Sequence, residues 1–317
     1  METPQEHIKL GISSCLLGHA VRFDGGHKHH SYITSTLGQY FDFVPFCPEA
    51  EIGLGIPREP IRLQWQDGAV HCVGTKTPSL DVTERLSDCA DQQREWQRDL
   101  CGYIFKKDSP SCGIERVRLY RGTMPERIGR GIYAARILEN FPNLPAEEEG
   151  RLGDPQLREN FVQRVFVLSR WKRLLQEGLA PKGLMDFHAR HKLIIMSHDQ
   201  NAARELGRLA AGADSENLGA VSEQYLALLM TSLKIIATPG NHVNVLQHIQ
   251  GYLKKHLDRD DKQELSETIA RYQRGELPLI VPITLLRHHF RRNPDPYIEN
   301  SLYMAPHPQE LCLLNTL

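Results

Sequence analysis

A chain of 317 residues is long enough to form two ordinary domains, each with its own hydrophobic core. Its 38 basic and 39 acidic side chains nearly cancel, so net charge alone indicates no polyanionic partner. No apolar run approaches the roughly 20 residues that a membrane-spanning helix needs, and the polar first residues do not resemble a signal peptide. We therefore expect a cytoplasmic protein without a membrane segment, whose seven cysteines are reduced.

The first half of the chain alternates short β-type runs with helical patterns. Strands are predicted over residues 8–13, 41–46, 61–65, 70–73, 103–105 and 117–120, and helices over residues 31–39, 79–101 and 129–140. Residues 141–150 are predicted to form an edge strand that leads into an acidic linker. This alternation favours an α/β fold with an open, largely parallel, Rossmann-like sheet.

The second half shows helical periodicity almost throughout, which predicts an all-α domain. Its helices are expected near residues 155–178, 184–197, 199–211, 217–237, 242–254, 259–274 and 281–292. Asp154 and Pro155 are interpreted as a helix start, and the Thr238-Pro239-Gly240 stretch as a helix stop. The predicted domains are residues 1–152 and 153–317.

Three of the cysteines, Cys15, Cys47 and Cys112, each follow a predicted strand within seven residues. Because ligands of open α/β sheets bind beyond the carboxyl ends of the strands, these thiols are expected to converge there. The others, such as Cys89 on the apolar stripe of a predicted helix, are better explained as core residues. The spacing leaves three readings open: an iron–sulfur cluster, a zinc ion, or inert or redox-active thiols.

The motifs around these cysteines resemble the thiouracil desulfidase family over about residues 8–148. They are Ser14-Cys-Leu-Leu-Gly18 with Val21-Arg-Phe-Asp-Gly25, Cys47-Pro-Glu49 with Gly53-Leu-Gly-Ile-Pro-Arg-Glu59, and Ser109-Pro-Ser-Cys-Gly113. Residues 155–312 resemble a YbgA-type helical domain, through residues 187–192 and 225–234. The fusion is similar to bacterial desulfidases that act on 4-thiouridine in tRNA.

This resemblance implies a [4Fe-4S] cluster bound by Cys15, Cys47 and Cys112. Removal of sulfur leaves the oxidation state of the pyrimidine carbon unchanged, so we expect neither a nicotinamide nor a flavin cofactor. Glu49 is the expected general base or proton shuttle, and Ser109 is the expected relay, with Ser111 as the reserve candidate. Arg22, Asp24 and Ser111 are the expected substrate-binding residues. Arg22 and Asp24 are expected to contact the polar edges of the base or a phosphate, unless they only pair with each other.

Basic clusters in the helical half are expected to contact the tRNA backbone, because most phosphate contacts come from arginine and lysine. The candidate residues are Arg190, Lys192, Lys254, Lys255, Arg287, Arg291 and Arg292. On a helical wheel His188, His191 and His198 share one face, which we interpret as a polar or RNA-facing stripe in preference to a metal site.

The function that the sequence favours is therefore a non-redox, cluster-dependent desulfidase that converts 4-thiouridine in tRNA to uridine. Three alternatives remain open at this point. One is a desulfidase of free thiouracil or thiouridine, which would not need a second domain of this size. Another is a non-catalytic, RNA-binding redox sensor, in which an iron–sulfur cluster or the thiols report oxidants. The third is a scaffold stabilised by zinc.

Overall fold

The structure is a computed structural model, which describes residues 8–122, 124–308, 311 and 313–315. The chain divides into two compact units, Met1–Gly153 and Asp154–Leu317. The first is α/β and the second is helical, which confirms the predicted fold class. We refer to them as the N-terminal unit and the helical unit.

Eight strands and five helices form the described part of the N-terminal unit. The strands are β1 (Ile8–Ser13), β2 (Phe41–Phe46), β3 (Ile61–Gln66), β4 (Ala69–Gly74), β5 (Gly102–Phe105), β6 (Val117–Arg121), β7 (Met124–Gly129) and β8 (Ala146–Glu148). The helices are α1 (Ser31–Ser35), α2 (Pro48–Glu51), α3 (Thr83–Gln92), α4 (Arg94–Gln97) and α5 (Ile132–Asn140).

The first sheet is fully parallel, in the order β2-β1-β5-β8. Its inner strand β1 is buried at five of six positions, as expected for a parallel strand covered on both faces. The register aligns Ser13 of β1 with Phe46 of β2, so the two strands end at the same level. This shared edge is where the candidate site lies.

The second sheet, in the order β4-β3-β6-β7, is mixed, which the prediction of one largely parallel sheet did not anticipate. Strands β3 and β4 form an antiparallel hairpin through Asp67 and Gly68, which have φ angles of 52° and 84°. Positive φ at both central residues is typical of the tight hairpin turn that Asp-Gly pairs favour. The inner face of this sheet packs Leu63, Cys72 and Leu119 into the core.

Two local predictions in this unit were wrong. The single helix expected over residues 79–101 is two helices, α3 and α4, separated at Gln93. The expected acidic linker is the edge strand β8 and its continuation, in which Glu147, Glu148 and Glu149 are buried. Glu148 accepts hydrogen bonds from the backbone N–H groups of Ile114 and Glu115, so these carboxylates hold neighbouring loops instead of facing solvent.

The helical unit contains α6 (Pro155–Gln176), α7 (Pro181–His198), α8 (Gln200–Ala211), α9 (Leu218–Ser232), α10 (Pro239–Tyr252), α11 (Arg259–Gln273), α12 (Ile280–Arg292) and α13 (Pro296–Asn300). Asp154 caps α6 as predicted, because its carboxylate accepts from the N–H groups of Gln156 and Leu157. Thr238, interpreted as part of a helix stop, caps the start of α10 instead. Among the described residues, no helix is both long and apolar enough to cross a membrane.

Candidate active site

Three cysteines meet at the carboxyl edge of the parallel sheet. Cys15 lies in the 3-10 turn directly after β1, and Cys47 is the residue between β2 and α2. Cys112 lies in the loop that follows β5. All three line one cavity of about 360 Å³, a volume within the range of about 300–1,000 Å³ that is typical of small-molecule sites.

The loop that carries Cys112 is held against the start of α5. The N–H of Ile132 donates to the Pro110 carbonyl, and the N–H of Ala134 donates to the Ser111 carbonyl. Gly131 lies so close to this loop that a Cβ atom there would be 2.6 Å from the carbonyl carbon of Ser111. Glycine at position 131 therefore sets the position of the Cys112 backbone.

Burial raises the pKa values of all three thiols and so favours their protonated form when no metal is bound. It raises the pKa of Cys15 to about 11, although the nearby Lys106 ammonium opposes the shift. Burial also raises the pKa of Cys47 and of Cys112, and for Cys112 the charges of Cys47 and Glu49 add to the effect. A metal centre supplies the positive charge that thiolate ligands need in such a site.

The donor set around the cavity consists of cysteine thiols, which are the usual ligands of iron–sulfur clusters. Cys15, Cys47 and Cys112 face this shared space from three different segments. Within the residues that the structure describes, no group of three or more His, Cys, Asp or Glu side chains is arranged to hold a single metal ion. Cys72, Cys89 and Cys101 are buried elsewhere and do not line this cavity.

Glu49 lies on the cavity wall and is fixed by two partners. Its Oε2 atom accepts hydrogen bonds from Arg58 at 2.8 Å (Nη2) and 3.0 Å (Nε), and its Oε1 atom accepts from Ser111 Oγ at 2.6 Å. Arg58 also donates to the Gly55 carbonyl. The Arg58 and Glu49 side chains are only 4% and 15% exposed, so the ion pair is largely shielded from water. Arg58 was not predicted as a site residue, although it belongs to the motif over residues 53–59.

The two predicted serines have different roles in the geometry. The hydroxyl of Ser111, the reserve candidate, contacts Glu49 directly and lies 3.6 Å from Cys112 Sγ. The Ser109 hydroxyl lies 3.0 Å from that of Ser111 and accepts from the backbone N–H groups of Ser111 and Cys112. Ser109 therefore shapes the turn, whereas Ser111 links Glu49 to the thiol region.

Of the three residues expected to bind substrate, the structure brings Arg22 and Ser111 into the cavity lining, but not Asp24. The Arg22 Nε atom is buried and has no hydrogen-bond partner among the described residues. Asp24 lies outside the cavity lining, where its carboxylate accepts from the Gly26 N–H and lies 3.7 Å from Arg22 Nε. Lys106, which the sequence interpretation missed, also lines the cavity and pairs with Glu149.

His188, His191 and His198 do not form an exposed stripe on the surface of the helical unit. His188, His191 and His198 are all buried, and burial lowers their pKa values to about 4, 3 and 4. His188 bonds to the Tyr225 hydroxyl, His191 to the Phe187 carbonyl, and His198 to the Ile235 carbonyl and the Gln163 side chain. The helical wheel correctly predicted that the three histidines share one face of α7, but that face packs against the core of the helical unit.

The predicted RNA-contacting residues are largely accessible. Those that are exposed are Arg190, Lys254, Lys255, Arg291 and Arg292. Lys192 is half-buried, and so is Arg287, whose guanidinium donates to the Met304 carbonyl. Arg287 thus anchors the segment that follows α13 and is not a free cation.

Comparisons with known proteins identify both halves of the chain. Residues 10–149 match the 2-thiouracil desulfurase family, and residues 192–308 match a protein family of unknown function, DUF1722. The chain is 34% identical over 151 residues to the "Uncharacterized protein YbgA" of Escherichia coli (strain K12), which covers 47% of this chain and 89% of that protein.

Among solved structures, the [4Fe-4S]-dependent thiouracil desulfidase TudS is similar, with 27% sequence identity and a TM-score of 0.38. The match covers 46% of this chain and 94% of that chain. Together with the family matches, the sequence relationship confirms the predicted resemblance to a desulfidase domain fused to a YbgA-type domain. The chain belongs to the YbgA family, and it carries in addition an N-terminal domain of the 2-thiouracil desulfurase family.

Proposed function

We propose that this protein is a [4Fe-4S]-dependent desulfidase that converts 4-thiouridine in tRNA to uridine and releases hydrogen sulfide. The observation that carries the proposal is the cavity in which Cys15, Cys47 and Cys112 lie beside the fixed carboxylate of Glu49. This cavity belongs to a domain of the 2-thiouracil desulfurase family, whose name indicates a thiolated pyrimidine as substrate.

The three thiolates are the proposed ligands of the cluster. A cubane cluster ordinarily takes four cysteines, so three leave one iron open. When bound, such a cluster supplies a soft Lewis acid for the thiocarbonyl sulfur. The overall reaction replaces a C=S bond with a C=O bond: one water is consumed, one hydrogen sulfide is released, and no electrons are exchanged.

Glu49 is the proposed general base for the attacking water. Arg58 donates to Oε2 and fixes its direction, while Oε1 remains bonded to the Ser111 hydroxyl. This arrangement gives a proton a short path from the cavity through Ser111 to Glu49. Arg22 lines the cavity and its Nε makes no hydrogen bond, although it forms an ion pair with Asp24, so we assign it to a contact with a carbonyl oxygen or a phosphate of the substrate.

The helical unit supports tRNA over a free nucleobase as the substrate. Exposed lysines and arginines on it, including Lys254, Lys255, Arg291 and Arg292, suit phosphate contacts. A base within folded tRNA must leave its stack to react, which costs a few kcal/mol. Contacts with the surrounding backbone offset this cost, whereas a free thiolated base needs no such contacts.

The test is sulfide release by anaerobically reconstituted protein from three substrates: tRNA that contains 4-thiouridine, free 4-thiouridine, and 4-thiouracil. We expect kcat/KM to be highest for the tRNA, and Glu49→Gln to lower turnover by roughly 10²–10⁴, the usual contribution of general acid–base catalysis. Equal or better turnover of the free compounds would exclude tRNA as the preferred substrate. Tight tRNA binding without any sulfide release would favour the sensor alternative.

A further inference from the structure

A second cavity lies in the helical unit, between α7, α8 and α10. It has a volume of about 560 Å³, and we call it the α8 groove. Its polar lining consists of His188, Lys192, Gln200, Arg204, Arg208 and His248. None of the described residues that line it is Asp or Glu, so three cationic side chains share this space without a carboxylate.

The floor of the α8 groove is made by small residues one helical turn apart. Ala203, Gly207 and Ala211 follow each other at four-residue steps on α8 and therefore lie on one face. Gly207 lies opposite His188, since a Cβ atom at position 207 would be 3.2 Å from His188 Nε2. The missing side chain leaves this imidazole nitrogen accessible from the groove.

His188 is a buried residue, and one of its two ring nitrogens makes no hydrogen bond within the described residues. The residue is only 7% exposed, and its Nδ1 atom is 3.0 Å from the Tyr225 hydroxyl. The described residues provide no hydrogen-bond partner for Nε2, which lines the groove. When the Tyr225 hydroxyl donates to Nδ1, the imidazole proton resides on Nε2, which then acts as a donor toward the groove.

The charges around the groove favour an anion. Burial and the neighbouring Lys192 lower the pKa of His188 to about 4, and the same two causes lower the pKa of His248. Both imidazoles are therefore neutral donors at pH 7. Arg204 donates to the Asn201 side chain at 3.1 Å, which leaves its other guanidinium N–H groups for a ligand. A phosphate oxygen is the acceptor that this set of donors fits.

We propose that the α8 groove binds a phosphate group of the RNA backbone through Lys192, Arg204, Arg208 and the Nε2 atom of His188. That the RNA is tRNA rests on the proposed function, whereas the phosphate site rests on the groove itself. Of these residues, the sequence indicated Lys192 as an RNA contact and His188 as part of a polar or RNA-facing stripe. Arg204 and Arg208 lie on α8, outside the basic clusters that the sequence indicated.

The test is binding of 4-thiouridine-containing tRNA to the full chain, measured by fluorescence anisotropy at several salt concentrations. The double variant Arg204→Gln/Arg208→Gln removes two groove cations. Lys182→Gln/Arg259→Gln removes two exposed cations that do not line the groove, and it is the matched control. We expect the groove variant to weaken binding roughly tenfold or more per lost contact, because charge-assisted hydrogen bonds are the strong class.

The slope of log affinity against log salt should also fall by about one for each phosphate contact removed. The control should keep the slope and affinity of the unaltered protein. Equal weakening by both double variants would assign the effect to overall charge and overturn the proposal. Unchanged tRNA affinity in the groove variant would overturn it as well.

Gly207→Ala tests the role of His188 without removing charge. Alanine is the better helix former, so weaker tRNA binding with an unchanged or raised melting temperature cannot be explained by unfolding.

Binding of uridine 5′-monophosphate is measured in parallel. If the groove variants lose this nucleotide but keep full tRNA affinity, the RNA assignment is overturned. Absence of sulfide release by the unaltered protein would refute the desulfidase proposal alone, since the binding measurement does not depend on it.

Discussion

Replacing Arg58 with methionine should destabilise the N-terminal unit and reduce activity, because it leaves the Glu49 carboxylate without its counter-charge. Arg58 is 4% exposed and Glu49 15% exposed, and two guanidinium N–H groups bond to Oε2. Removing one partner of such a buried pair costs about 3–5 kcal/mol. Because the pair borders a cavity, we expect the lower end, about 3 kcal/mol.

The assay is a double-mutant cycle with Glu49→Gln, in which unfolding is followed by amide hydrogen exchange in β1 and β5. Glutamine removes the charge that methionine leaves unpaired, so Arg58→Met should cost about 2 kcal/mol less in the Glu49→Gln background. In a domain of this size, a loss of about 3 kcal/mol lowers the melting temperature by roughly 6–12 °C.

Two results would refute this reasoning. A loss below about 1 kcal/mol for Arg58→Met would mean that the pair behaves like an exposed salt bridge. Additive effects of the two substitutions, within about 0.5 kcal/mol, would mean that Arg58 does not act through Glu49.

Other substitutions test the proton path, the cysteine loop and the helical core. Ser111→Ala should lower sulfide release by at least tenfold with little change in KM, whereas Ser109→Ala should mainly lower the melting temperature, by loss of its turn hydrogen bonds. Gly131→Ala should destabilise the N-terminal unit by about 1–3 kcal/mol and lower its iron content, and full iron binding would contradict the role of this glycine. Glu159→Gln should raise the stability of the helical unit at pH 8 by up to about 3 kcal/mol and have little effect at pH 4. Burial raises the pKa of Glu159 from 4.5 to about 7, so the unfolded chain ionises first and stability falls between these values. Urea unfolding at both pH values measures the difference.

The cysteine cavity could be predicted because it depends on strand order and strand ends. Cys15, Cys47 and Cys112 each follow a parallel strand, and parallel strands in one sheet bring such positions to one edge. Arg58 could not be assigned in this way, because its partner Glu49 is identified only by the path of the loop between them. Strand order can thus be predicted to bring residues to the carboxyl edge of the sheet, whereas the side-chain contacts made there depend on loop conformations that the sequence pattern does not predict.

The wrong predictions about which polar residues face solvent share a physical cause, which is that polarity does not determine exposure. Glu148 is buried because backbone N–H groups of a nearby loop satisfy its carboxylate. His198 is buried because a carbonyl and an amide satisfy both nitrogens of its ring, and the Tyr225 hydroxyl satisfies one ring nitrogen of the buried His188. Arg204 and Arg208 were missed because the groove they line is formed by three helices, and no local pattern in the sequence describes it.

The central claim is that Cys15, Cys47 and Cys112 together hold the metal cluster. The most direct measurement is the iron content of anaerobically reconstituted protein, compared across single alanine variants of these residues and of Cys89, a buried cysteine outside the cavity. The account predicts about four irons per chain in the unaltered protein and in Cys89→Ala. It also predicts loss of the cluster in each of the three cavity variants. Retention of full iron content in any one of those three variants would contradict it.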